Sequence, residues 1–190
     1  MTRRLISLYA GLALFGTGVA LMVRANLGLD PWDVFHQGLA RQLGLSLGTV
    51  VIAVAALVML AWIPLRERPG LGTLSNVVLV GLVIDAGSAL LPHPQPWLAR
   101  AGFLAAGIVA IAAATALYIG AGFGPGPRDG LMTGLSRRGH SLRAVRTAIE
   151  LSVLALGWLL GGTVGIGTVA YALSIGPLVQ LFMRRGPNAR

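Results

Sequence analysis

The sequence predicts an all-α membrane protein with six transmembrane helices, arranged as two inverted repeats of three. Its 190 residues are 55% hydrophobic and 11% charged, and the mean hydropathy is +0.78. Soluble domains carry about 25% charged residues, so this composition argues against a soluble protein. Apolar runs long enough to cross a bilayer core of about 30 Å recur along the chain, and one motif occurs in both halves.

Six apolar runs are the predicted spans, and charged residues or turns separate them. The first follows Arg3 and Arg4 as a signal peptide would, but no small-residue cleavage site precedes Asn26, so we expect the segment to be retained. The third run contains Asp85, and the last is interrupted by Gly176-Pro177. The predicted spans are residues 5–23, 47–65, 71–91, 101–122, 142–160 and 166–183.

The arginines predict the orientation of these spans. All 15 basic residues are arginine, and an internal N-terminus places 12 of them in cytoplasmic segments, with Arg24, Arg41 and Arg100 outside. Because basic residues are enriched on the cytoplasmic side, we expect both termini to be cytoplasmic. Charges placed between spans, and not along one soluble face, also argue against a nucleic-acid partner.

A motif with glycine, proline and aspartate occurs once in each half. Residues 27–41 and 123–137 share six identities in 15 positions, and G-x-G-T recurs at residues 70–73 and 165–168. Each half, residues 1–95 and 96–190, is therefore predicted to be one unit of three spans. An odd number of spans inverts the second copy, an arrangement found in many transporters. The shared motif residues are Gly28, Pro31, Gly38, Gly72, Thr73, Gly124, Pro127, Gly134, Gly167 and Thr168.

Each P-x-D segment predicts a short amphipathic helix after the first span of its half. Proline suits the first helical position, with Asp30 or Gly126 as the N-cap. Fifteen helical residues reach only about 22 Å, so the segment either lies at the interface or re-enters the membrane. Asp33 and Asp129 could cap these helices or point into a central cavity. Thr73 and Thr168 are predicted to be the N-caps of the third and sixth spans.

Polar residues within or beside the spans are the candidate substrate ligands. His36 and Gln37 share the Asp33 face of the helix, although an interfacial histidine is the alternative. Asp85 costs a few kcal/mol in the bilayer unless it is paired, protonated or close to water. The set is Asp33, His36, Gln37, Asn76, Asp85, Asp129, Thr133 and Glu150.

Other residues have simpler interpretations. Glu150 lies four residues after Arg146, a spacing that predicts an ion pair. The inner arginines suit an anionic substrate or anionic lipid, although orientation alone explains them. Trp32, Trp62 and Trp97 are predicted to lie in the aromatic belts at the headgroups.

The sequence contains few residues that could catalyse a reaction. The chain has no cysteine, and its three histidines are far apart, so neither thiolate chemistry nor a metal-spaced histidine pair is available. No nucleophile–base pair is visible. We therefore predict no catalytic residue, cofactor or metal site.

Four stretches resemble one family of bacterial integral membrane proteins. They are G-x-x-P-W-D-V-x-x-x-G-L, G-T-x-x-N, G-P-R-D-G-L-M and G-x-G-T. This pattern resembles the YczE/YyaS-like proteins, which are similar to YitT-type proteins, over residues 11–177; residues 126–132 are its most specific part. The resemblance implies a six-span protein of the bacterial inner membrane and carries over no catalytic residue.

A transporter or permease for a small solute or ion, working by alternation of the two repeats, is the predicted function. We expect it to act in the lipid bilayer as a homodimer, because six short spans make a thin wall. One alternative is the substrate-binding subunit of an energy-coupling-factor importer. That subunit needs an ATPase partner, because this chain has no nucleotide motif of its own. Another is a non-transporting scaffold or regulator that acts through the arginine-rich residues 128–146.

Overall fold

The computed structural model describes residues 1–185, in which every regular element is a helix. Eight helices follow one another along residues 1–185. They are α1 (Thr2–Ala25), α2 (Pro31–Leu43), α3 (Leu47–Leu65), α4 (Leu71–Leu90), α5 (Trp97–Ala121), α6 (Pro127–Ser136), α7 (Leu142–Leu159) and α8 (Ile166–Arg185).

The helix positions confirm the all-α prediction. Six helices lie where spans were predicted, and α2 and α6 are the two short helices of the P-x-D segments. Within the described residues, five helices are long and apolar enough to cross a membrane: α1, α3, α4, α5 and residues Ile166–Arg184 of α8. The helix α7 is outside this set because Arg143, Arg146 and Glu150 give it three charged residues.

The helix starts confirm two predicted caps and correct two others. The Asp30 carboxylate accepts hydrogen bonds from the backbone N–H groups of Trp32 (2.9 Å) and Asp33 (3.0 Å), and Gly126 is the N-cap of α6. Thr73, however, is the third residue of α4, and Gly70 is the N-cap. Thr168 is likewise the third residue of α8, where its hydroxyl accepts a bond from the Gly165 N–H at 3.3 Å.

The physical reason for the Thr73 correction is the close approach of two backbones. A Cβ atom on Gly70 would overlap the Phe123 carbonyl oxygen, so a threonine does not fit at the cap position. The Thr73 hydroxyl instead accepts a bond from the Gly70 N–H (3.2 Å) and donates to the Pro125 carbonyl (2.7 Å). The threonine therefore ties the start of α4 to the segment that leads into α6.

Helices α1 and α5 form the centre of the bundle. A Cβ atom on Gly11 would lie 2.9 Å from the Tyr118 backbone nitrogen, and one on Gly107 would lie 2.8 Å from the Gly18 carbonyl oxygen. These glycines let the two helices approach closely, as small residues do in membrane proteins. Helix α4 packs against α1, and α8 packs against α5.

Each of the two short helices packs against a helix from the other half of the chain. Helix α2 packs against α7, and α6 packs against α3. In the first of these contacts, a Cβ atom on Gly38 would lie 2.6 Å from the Gly157 carbonyl oxygen. These contacts bring the first turns of α2 and α6 to the same central region.

Matching arginines hold the two ends of the central helix pair. Arg4 Nε, near the start of α1, donates to the Ala121 carbonyl at the end of α5 (2.9 Å). Arg100 Nε, near the start of α5, donates to the Ala25 carbonyl at the end of α1 (2.8 Å). Each arginine thereby satisfies a carbonyl that the helix end leaves without an intrahelical partner.

Gly157 provides a test of the α2–α7 contact. A Cβ atom there would overlap the Phe35 backbone nitrogen, so we expect Gly157→Ala to destabilise the protein by roughly 1–3 kcal/mol. In the described residues nothing lies within 4 Å of a Cβ atom on Gly102. Gly102→Ala should therefore keep or raise stability, because alanine favours helices. Thermal unfolding in detergent would measure both, and equal midpoints would refute the contact.

Candidate functional site

A central cavity of about 350 Å³ lies between the two halves of the chain. It falls within the usual size range of small-molecule sites, about 300–1,000 Å³. The first turns of both short helices reach it, together with polar residues of α4, α5, α7 and α8. Its wall includes the polar and aromatic side chains of Asp30, Trp32, His36, Asn76, Tyr118, Arg128, Asp129, Arg146, Glu150, Tyr171 and Gln180.

Arg128 links the start of α6 to the start of α2. Its Nη2 donates to Asp33 Oδ1 at 3.0 Å, and its Nη1 lies 3.6 Å from Asp30 Oδ1. The guanidinium also lies over the Trp32 ring, 5.2 Å from the ring centroid. His36 Nδ1 lies 3.0 Å from Asp33 Oδ1. A buried network of opposite charges therefore joins the two halves at the cavity wall.

Burial shifts the titration of two groups in this network, neither of which belongs to the five candidate spans. Burial raises the pKa of Asp30 from 3.8 to about 7, and the Asp33 carboxylate adds to this effect while Arg128 opposes it. Burial, and then the Arg128 charge, lowers the pKa of His36 well below 6.5. His36 is therefore neutral at pH 7.

Asp129 is held differently from the other acidic residues of the cavity wall. Its Oδ2 accepts a hydrogen bond from the Tyr118 hydroxyl at 2.9 Å. Among the described residues, no arginine or histidine nitrogen lies within 4.0 Å of its carboxylate. Glu150, by contrast, accepts a bond from Arg146 Nε at 2.8 Å, which confirms the predicted ion pair.

Four of the predicted candidates line the cavity: His36, Asn76, Asp129 and Glu150. Asp33 lies just behind the wall, where it binds Arg128 and His36. The structure thus brings together residues of α2, α4, α6 and α7 that are far apart in the sequence.

The other three candidates are engaged away from the cavity wall. Gln37 Oε1 accepts a hydrogen bond from the Thr163 N–H at 2.7 Å, which ties α2 to the turn before α8. The Thr133 hydroxyl donates within its own helix, to the Asp129 carbonyl at 3.0 Å. Asp85 joins α4 to the start of α3, where it accepts a bond from the Ser46 hydroxyl at 2.6 Å.

The interfacial alternative for His36 and the headgroup position predicted for Trp32 and Trp62 are wrong. His36 is buried and not interfacial, with 1% of its surface exposed. Trp32 and Trp62 are buried as well, and Trp62 Nε1 donates to the Pro127 carbonyl at 3.1 Å. Tryptophan is common at headgroup depth, but its sequence position does not say whether it faces lipid or protein. Trp97 is exposed.

The most important residue that sequence reasoning missed is Arg128. Its place in the arginine-rich inner segment predicts an orientation signal, because arginines near span ends usually fix orientation. The signal that could have found it is its place in the motif: Arg128 follows Pro127 as Trp32 follows Pro31. The structure stacks these two equivalent residues on each other. Tyr118 and Tyr171 carry no comparable sequence signal.

Metal binding receives no support from the geometry. Within the described residues, no group of three histidine, aspartate or glutamate side chains is arranged to hold a metal ion. The cavity instead offers hydrogen-bond donors and acceptors, two aromatic phenols and carboxylates.

Comparisons with known proteins agree with the resemblance noted in the sequence. The model of a family described as "Family of unknown function (DUF6198)" matches residues 2–184. A Haemophilus influenzae protein named "Uncharacterized protein" is 43% identical over 173 residues, which cover 90% of this chain and 79% of that protein. No solved structure matches the chain.

Two Bacillus subtilis proteins are also similar. The "Uncharacterized membrane protein YczE" is 34% identical over 175 residues, covering 90% of this chain and 81% of that protein. The "Uncharacterized protein YyaS" is 29% identical over 181 residues, covering 91% of this chain and 89% of that protein. With the apolar helices, these relatives identify a membrane protein.

Removal of Arg128 tests the buried network. We expect Arg128→Ala to destabilise the protein by about 3–5 kcal/mol, because it leaves the buried Asp33 charge without its cationic partner and with only the neutral His36 beside it. The matched control is Arg137→Ala, which removes the ion pair between a largely exposed guanidinium group and Glu67 and should cost less than about 1 kcal/mol. Denaturant unfolding in detergent distinguishes the two. Similar losses for both variants would contradict the assigned role.

Proposed function

The chain belongs to the DUF6198 family, and from that premise we propose that it transports a small solute or ion by alternation of two inverted three-helix repeats. In this proposal α1, α3, α4, α5, α7 and α8 span the bacterial inner membrane. The short helices α2 and α6 begin inside the bundle, at the cavity, and both termini are cytoplasmic.

Equivalent positions of the two halves make matching contacts, which supports the repeat. The Gly72 N–H donates to the Phe123 carbonyl at 2.8 Å, and the Gly167 N–H donates to the Leu27 carbonyl, also at 2.8 Å. In the alignment of the two motifs, Gly72 corresponds to Gly167 and Phe123 to Leu27. Each half therefore contacts the other through the same pair of positions, as expected for two units related by a two-fold axis.

The main support for the proposal is a helix contact that differs between the two halves: α3 and α4 pack together, whereas in the described part of the chain their counterparts α7 and α8 do not. Helices α3 and α4 pack tightly, and a Cβ atom on Gly81 would lie 2.5 Å from the Gly48 carbonyl oxygen. Asp85 closes this contact, accepting bonds from the Ser46 hydroxyl (2.6 Å) and the Gly48 N–H (2.7 Å). We call Ser46, Gly48, Gly81 and Asp85 the first gate.

The equivalent helices of the second half stand apart. Among the described residues, α7 and α8 make no comparable packing contact. Gly176 is the counterpart of Gly81, and nothing described lies within 4 Å of a Cβ atom placed on it. We call Ser141, Arg143, Gly176 and Gln180, the counterparts of the first-gate residues, the second gate. The second gate is open while the first gate is closed.

An exchange of these two arrangements would move the cavity between the two sides of the membrane. If the second half adopts the arrangement of the first, α7 and α8 close, and Gln180 reaches Ser141 at the start of α7. The first gate then opens. With the orientation predicted from the arginines, the described state is open to the cytoplasm. Inverted repeats produce two such states from one sequence.

Cross-linking across the second gate tests the exchange. We expect Ser141→Cys/Gln180→Cys to react with a short bifunctional thiol reagent in lipid vesicles, because alternation brings the two residues together. Motions of this kind occur in microseconds to milliseconds, well within the labelling time. The chain has no native cysteine, so every product contains the introduced residues.

Two matched pairs serve as controls. Ser46→Cys/Asp85→Cys should cross-link at once, since these residues are in contact in the closed first gate. Ser141→Cys/Leu173→Cys should not react, because Leu173 is largely exposed on α8. If the Gln180 pair fails to cross-link while the Asp85 pair succeeds, the bundle is fixed. The chain would then be a scaffold or a binding subunit.

A further inference from the structure

We infer that the solute bound in the cavity is a small organic monocation that carries a hydrogen-bond acceptor, with Asp129 as its counter-ion. This inference rests on the proposed function and deepens it. Three features of the described residues support it: the balance of charge at the cavity, the lack of a cationic partner for Asp129 among these residues, and a buried indole N–H for which they provide no hydrogen-bond acceptor.

The charge balance at the cavity is negative. Asp30, Asp129 and Glu150 line the wall against Arg128 and Arg146. Asp33, directly behind the wall, adds a further carboxylate. Even with Asp30 protonated, carboxylates exceed guanidinium groups. A cation entering the cavity therefore gains favourable electrostatic energy, and an anion loses it.

Asp129 is the carboxylate that remains for a ligand. Asp33 and Asp30 face Arg128, and Glu150 binds Arg146. The Asp129 carboxylate instead accepts its hydrogen bond from the neutral Tyr118 hydroxyl. The start of α6 supplies about half a positive charge, which is less than the full negative charge of the carboxylate. A net negative charge is therefore left beside the cavity at this residue.

Trp32 supplies the third feature, which is independent of the charges. It lines the cavity, only 7% of its surface is exposed, and its Nε1 has no hydrogen-bond partner among the described residues. A buried donor of this kind costs about 1–3 kcal/mol if it stays unpaired. The Nε1 atom itself has almost no accessible surface, so the indole must turn slightly before a hydroxyl or carbonyl oxygen on the solute can satisfy it. The three features together select a cation with an oxygen acceptor.

The two arginines that line the cavity, Arg128 and Arg146, do not favour an anion, because protein groups already bind them. Arg128 donates to Asp33 and Arg146 to Glu150. Arg137 pairs with Glu67, and Arg138 Nη2 donates to the Pro64 carbonyl at 2.6 Å. An anionic solute would have to displace these partners before it could bind a guanidinium group.

Four probes of equal chain length test the inference on the purified full chain in detergent. They are 4-aminobutan-1-ol (cation with oxygen), butylamine (cation without oxygen), butane-1,4-diol (neutral) and 4-hydroxybutanoate (anion). The amines are fully protonated at pH 7, as lysine is. Binding is measured as the rise in unfolding temperature, at probe concentrations up to roughly 100 mM, two decades above a millimolar Kd.

The aminoalcohol should bind the wild type at least tenfold more tightly than the diol or the anion, and severalfold more tightly than butylamine. Asp129→Asn should abolish this charge preference, whereas Glu67→Gln, a matched change at a carboxylate outside the cavity, should keep it. Trp32→Phe should remove the difference between the aminoalcohol and butylamine. In every variant, Asn76 and the phenol groups of Tyr118 and Tyr171 remain available as hydrogen-bond partners for the probe.

The wild-type comparison is decisive even if a variant fails to fold. Equal or tighter binding of the diol or the anion, or no binding of any amine, overturns the inference. The cross-linking of the second gate needs no ligand, and the probe binding needs no alternation. A cation that binds to a chain whose second gate never closes would support the site and refute transport. A second gate that closes, in a protein that prefers the anion, would support transport and refute the proposed cation site.

Discussion

The buried pair of Arg128 and Asp33 is the interaction on which the rest of the structure depends. Each residue is close to the first turn of a short helix, and the two helices come from opposite halves of the chain. A charge buried without its partner would cost several kcal/mol, so the two helix starts must meet. Once they meet, α2 has to lie on α7 and α6 on α3. The cavity is the space that remains between these crossed contacts.

Close backbone contacts make this crossing feasible. At the α2–α7 contact, Gly38 approaches the Gly157 carbonyl oxygen; at the α6–α3 contact, Gly130 lies against the ring of Trp62. Lipid provides no hydrophobic drive for helices to associate, so close packing and hydrogen bonds must supply it. The glycines therefore stabilise these contacts as large apolar side chains stabilise soluble cores. Because glycines occupy these helix contacts, the larger polar residues are not needed there and can face the cavity.

Most of the fold could be predicted from the sequence, and part of the site could not. Apolar runs and the Pro31 and Pro127 signals locate the eight helices of residues 1–185, because helix length and helix starts are local properties. The positions of Asp33 and Asp129 in the motif left two interpretations open, helix capping or a central cavity that both helix starts reach. The partner of Asp33 could not be predicted, since Arg128 is far away in the chain and resembles an orientation signal. Asp85 was equally ambiguous, because a carboxylate that caps another helix has the same sequence pattern as an ion site.

The unequal gates explain which state of the proposed cycle is the stable one. The first gate is closed by the Asp85 carboxylate, whose charge-assisted bonds to the start of α3 are roughly twice as strong as neutral ones. Its counterpart Gln180 offers only a neutral amide, and Arg143 stands where Gly48 allows close approach. Closure of the second gate is therefore weaker by about the value of one hydrogen bond, roughly 1 kcal/mol. In the proposed cycle a bias of that size would leave the other state populated, and a solute that binds the two states differently would shift the balance.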